Sequence, residues 1–101
     1  MSLATISVTD FEACQRQLFR IHLDETRSIM ATLLEVKSFK GTVGQEGRTA
    51  FSALFHTTED TGLTQNVYRV ENENMGSLEL FLVPVGQDPD AGGMCYEAIF
   101  N

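Results

Sequence analysis

Hydrophobic residues in this chain recur with a period of two in run after run, and that alternation restricts the fold more than any other feature. Between residues 76 and 83, Leu78, Leu80 and Leu82 share one face of an extended segment, while Glu79, Phe81 and Val83 share the other. The first face is wholly apolar and the second turns apolar after Glu79, as in a strand that enters a core. Phe19, Ile21 and Leu23 alternate with Leu18, Arg20 and His22 in the same way, up to the turn residues Asp24-Glu25-Thr26. A second strand begins with Ile29, Ala31 and Leu33 and runs towards Ser38. Its register is blurred at Leu33-Leu34, which predicts a bulge or a stretch covered on both faces. Phe51, Ala53 and Phe55 give a third strand over 50–56, and Val67 and Arg69 oppose Tyr68 and Val70 in a fourth over 65–71. Residues 77–83 and 95–100 make six.

Helix is confined to the start. Thr9-Asp-Phe-Glu12 has the residue types of a capping box, which predicts one or two turns over Thr9 to Gln15 with Phe11 directed at the core. Lys40 to Arg48 carries three glycines and reads as a mobile connection; Thr57 to Gly62 reads as a polar loop. Asn72-Glu-Asn-Met-Gly76 reads as a hairpin in which Asn74 or Gly76 takes a positive φ. Pro84 has no N–H for a ladder, so it is expected at that strand's end or at an edge. Six short strands joined mostly by short connections predict a mainly β fold, an antiparallel meander closed into a small barrel or folded as a sandwich. A barrel is preferred, because closure removes the edges that such apolar strands would otherwise expose.

At 101 residues and 43% hydrophobic content, the chain is long enough for one core and too short for two, so residues 1–101 are expected to form a single domain. A formal charge of −7 with dispersed basic residues disfavours nucleic acid and anionic membrane surfaces as partners. Cys14 and Cys95 read as reduced thiols of a cytoplasmic protein, although spacing alone leaves one bridge open. No apolar run approaches the ~20 residues of a membrane helix.

The run Gly76-Ser-Leu-Glu-Leu-Phe-Leu-Val-Pro-Val-Gly86, a polar loop and Tyr96-Glu-Ala-Ile-Phe-Asn101 together resemble a family of small bacterial domains of unknown function, DUF6916. Tyr68-Arg69-Val70-Glu71, the Asp-Phe-Glu start and Phe51 to Phe55 fit the same pattern, so the resemblance covers nearly the whole chain. It implies a structural or assembly role, since members resemble companions of phage-tail collar-like proteins. It implies no catalytic residue.

Residue by residue, chemistry is sparse. His22 and His56 lie within strands and have no His-x-His or His-x-x-x-His spacing, so a zinc site would need distant ligands such as Cys14 and Cys95. Asp88-Pro-Asp90-Ala-Gly92 opens like a calcium loop but lacks the later bidentate acid, and its composition is that of a turn. Glu71, Glu73 and Glu79, with Glu59 and Asp60, read as a solvated face. Gly41, Gly44 and Gly47 precede no helix and so form no phosphate loop. No catalytic, cofactor-binding or metal-binding residue is therefore assigned, and no cofactor. Most aromatic rings are expected in the core, because a barrel of six strands is filled by its own side chains.

Three functional classes follow. The leading one is a non-enzymatic assembly module that docks other copies or a protein partner, expected as a homo-oligomer. The alternative is a small-ligand or carbohydrate-binding barrel, favoured by a pocket at Tyr68 or Tyr96 beside acids. The third is an enzyme, which would need His22 or His56 near Glu or Cys in a cleft.

Overall fold

The computed structural model describes residues 7–43, 49–59, 63–88, 90 and 92–100. A short helix α1 (Val8–Glu12) precedes six strands: β1 (Leu18–His22), β2 (Ser28–Val43), β3 (Thr49–Thr57), β4 (Asn66–Asn72), β5 (Gly76–Gln87) and β6 (Met94–Phe100). Every ladder is antiparallel, and the order β1-β2-β3-β6-β5-β4 closes on itself through β1 and β4. The fold is thus the expected barrel, and the sandwich is excluded.

The barrel interior follows the alternation. Phe19 and Ile21 of β1, Ile29, Ala31 and Leu33 of β2, Phe51, Ala53 and Phe55 of β3, Val70 of β4, and Leu78, Leu80 and Leu82 of β5 are all buried. Phe11 of α1 is fully buried at one end, with its ring centroid 5.0 Å from Phe100 and 5.6 Å from Phe51. Outward positions carry charge instead, among them Arg20, Glu35, Lys37, Arg69 and Glu79.

The bulge expected at Leu33-Leu34 is present. The register steps from Leu33↔Phe55 to Glu35↔Leu54, leaving Leu34 as the extra residue. Without it, Glu35 would follow Ile29, Ala31 and Leu33 inward; with it, Glu35 lies opposite the outward Leu54 and Val36 opposite the buried Ala53.

Several boundaries differ from the expectations. The helix starts at Val8 rather than Thr9, with Ser7 as its N-cap. The Ser7 N–H donates to Asp10 Oδ2 at 2.8 Å, so Asp10, not Glu12, is the acid that reaches back. Strand β2 extends to Val43, so its pairing with β3 takes in part of the segment read as a connection; residues 44–48 lie outside the described residues. Strand β5 runs past Val83 to Gln87, and Pro84 occupies the edge position that was its alternative: it pairs with Tyr96 of β6 and has no described partner on the β4 side. The next step, from Pro84↔Tyr96 to Gly86↔Cys95, leaves Val85 as the extra residue of a bulge. Gly76 takes the positive φ of the β4–β5 hairpin, at 78°.

The β1–β2 turn is tied by Asp24, whose carboxylate accepts from Thr26 N, Arg27 N and Arg27 Nε at 2.8–2.9 Å. The Arg27 side chain, then the turn's N–H groups, hold this carboxyl well below the usual carboxylate range. A folded-state pKa below the unfolded value stabilises the fold above the unfolded pKa, and the contribution is lost as pH falls through the folded value. The advantage of the native chain over Asp24→Asn in urea melts should therefore be full above pH ~4 and shrink progressively below it. An advantage independent of pH would contradict this.

Candidate functional site

Of the residues weighed for chemistry, the structure brings together two pairs, His22 with Glu71 and His56 with its cross-strand partner Cys95. His22 on β1 pairs with Glu71 on β4 across the barrel's closing seam, on the outside. His56 on β3 donates from Nε2 to the Gly92 carbonyl at 2.7 Å, holding the β5–β6 connection on β3. Cys14 is buried near α1, Cys95 lies partly buried on β6, and both are free thiols. Burial first, and then the charges of Asp10 and Asp88 respectively, push both thiols up, which works against a nucleophilic thiolate. Asp88 and Asp90 form the turn that their composition implies: Asp90 N donates to Asp88 Oδ1 at 2.8 Å. Among the described residues, no group of three or more His, Cys, Asp and Glu side chains could hold a metal ion. Asp60 lies outside the described residues.

The two tyrosines are core residues. Tyr68 is 9% exposed and its hydroxyl donates to the Thr64 carbonyl at 2.6 Å, while Tyr96 is 1% exposed. Neither ring is available as a platform for a sugar.

Two surface features remain. The first is an open depression of about 510 Å³ over β1 and the β4–β5 hairpin, lined by Leu18, Arg20, Met30, Glu71, Glu73 and Ser77 among others. Beneath it, Asn72 knits the hairpin to β1: Oδ1 accepts from Asn74 N and Met75 N at 2.8 and 3.1 Å, and Nδ2 donates to the Leu18 carbonyl at 3.1 Å. These bonds account for a buried asparagine next to an otherwise short β1–β4 ladder.

The second feature is an apolar row on the outside of β4, β5 and β6. Val67 and Phe81 are direct cross-strand partners, 52% and 49% exposed. On the next strand, Ile99 is 55% exposed and lies two residues beyond Glu97, whose pairing with Val83 ends the β5–β6 ladder. Most aromatic rings are expected in the core; Phe81 is an exception, and Ile99 of the last strand also lies outside. The available signal was the leucine face itself: once Leu78, Leu80 and Leu82 fill the interior, Phe81 must point out. The next row carries opposite charges, because Arg69 and Glu79 are also direct partners. Among the described residues neither is held in an ion pair.

On the side of β5 that faces β4, the ladder ends at Asn66↔Leu82. Residues 83–87 therefore have no strand partner on that side among the described residues, but Pro84 and the Val85 bulge make this segment a poor template for another strand.

The architecture defines a small closed antiparallel barrel with a filled interior and one apolar row on its outer wall. The chain belongs to the family described as domain of unknown function DUF6916, whose model matches residues 6–100. No curated protein and no solved structure matches it.

Proposed function

We propose that this protein is a non-enzymatic assembly module that docks a protein partner on the outer wall of β4, β5 and β6. The observation that carries the reading is the direct cross-strand pair Val67 and Phe81, with Ile99 on the neighbouring strand β6: three large apolar side chains, each about half exposed, on one outer wall. Apolar residues scattered singly over a surface need no explanation, whereas a contiguous patch is the usual mark of an interaction site. The blunted β5 edge favours docking through the face rather than by strand addition. An assembly role also accords with the resemblance to companions of phage-tail collar-like proteins. The test is affinity capture from the source cell, with the native chain and Phe81→Lys compared as baits. Retention of the same protein by the native bait alone is expected. Identical retention by both baits would overturn the reading.

A further inference from the structure

We infer that the partner on this face is a second copy of the chain, related by a two-fold axis that runs parallel to the strands between β4 and β5; this rests on the docking reading above. The register makes the face self-complementary about that axis. Rotation by 180° about a line between two paired strands exchanges the members of each cross-strand pair. It therefore sets Val67 against the partner's Phe81, and Arg69 against the partner's Glu79. Both juxtapositions are favourable: apolar on apolar, and cation on anion. Symmetry makes each occur twice. An axis perpendicular to the strands gives no such match, since it sets the Arg69–Glu79 row against positions on the far side of the apolar row.

Two further observations support the same geometry. Arg69 and Glu79 are exposed and free of ion pairs among the described residues, so both can pair across an interface without breaking a bond within the chain. The axis also keeps the strands of the two copies aligned, as in ordinary face-to-face sheet packing. A charge of −7 on each copy opposes association at long range, but screening confines that repulsion to about 8 Å at physiological salt. The wall is convex, which limits the contact to a few strands and places the dimer at the small, micromolar end of specific interfaces.

The test is sedimentation equilibrium of the full chain and three variants, Arg69→Glu, Glu79→Arg and the double reversal, with a thermal melt of each to establish folding. Each single reversal turns two attractive pairs into two repulsive ones and should raise the dimer dissociation constant roughly tenfold. The double reversal restores opposite signs in both pairs and should return the constant to within about threefold of the native value. A native chain that stays at 11.2 kDa up to ~1 mM, or a dimer that neither single reversal weakens, overturns the inference. In the first case, capture of another protein that still depends on Phe81 would leave the docking reading standing and reject only the second copy.

Discussion

Deletion of residues 98–101 should abolish the cooperatively folded state. Ala98 and Phe100 of β6 are buried, and residues 98–100 pair with Phe51, Ser52 and Ala53 of β3. The Phe100 ring stacks on Phe51 with centroids 4.5 Å apart and packs against Phe11, so its loss strips the aromatic cluster at one end of the barrel. Removing a buried phenylalanine costs about 3–5 kcal/mol, and the lost ladder leaves β3 with an unpaired segment. A domain of this size has only about 5–15 kcal/mol of stability in all. Ile99 adds little to this loss, because it faces outward. The truncated chain is expected in the insoluble fraction, or without a melting transition by circular dichroism. A soluble truncation that melts cooperatively would show that the end of β6 is dispensable.

Gly93→Ala should cost about 2–5 kcal/mol, the sum of a strained backbone and a forced contact. Gly93 has φ +75°, and a Cβ there would lie 2.1 Å from the Thr57 carbonyl oxygen and 2.9 Å from Thr58 Cα. Both atoms belong to the backbone, so no side chain can swing away. Gly92 supplies the control, with φ +73° and open space around an added Cβ. Gly92→Ala should cost only about 1–2 kcal/mol, the strain alone. Urea midpoints of the two variants separate the terms, and equal losses would mean that the β5–β6 connection does not press on β3.

The fold was legible in the sequence because a barrel this small demands a strict inward set. Leu78, Leu80 and Leu82, or Phe51, Ala53 and Phe55, announce both strand and face. The Leu33-Leu34 doublet announced its bulge for the same reason, as a break in phase that must be absorbed if Glu35 is to stay in water. Pro84 takes the second of its two expected places, an edge, since no described strand pairs with it on the β4 side. What the sequence did not reveal is that β5 continues beyond it, because that depends on pairing with β6, which is distant in sequence. The helix cap was misplaced by two residues because Ser7 and Thr9 both precede an acid three positions on, at Asp10 and Glu12, and local pattern does not choose between them.

The outer face was less legible. An apolar residue at an outward position looks the same in sequence whether a neighbouring element or nothing covers it. The row becomes visible only when the β4–β5 register pairs Val67 with Phe81 and the strand order sets β6, with Ile99, beside them. The histidines and acids posed the opposite case: His56 and Asp88 carried possible chemistry by type, and their geometry spends them on holding and shaping the β5–β6 connection.

The central claim is that the outer wall of β4 and β5 joins two copies of the chain rather than stabilising one. Light-scattering mass and melting temperature, measured together on the native chain and Phe81→Lys across a range of concentrations, test it most directly. The native chain should reach twice 11.2 kDa at micromolar concentration. Phe81→Lys should stay at the monomer mass, with a melting temperature at high dilution within a few degrees of the native value, because a half-exposed residue contributes little to the fold. A native protein that is monomeric at every concentration, or a variant that associates as the native chain does, would contradict the account.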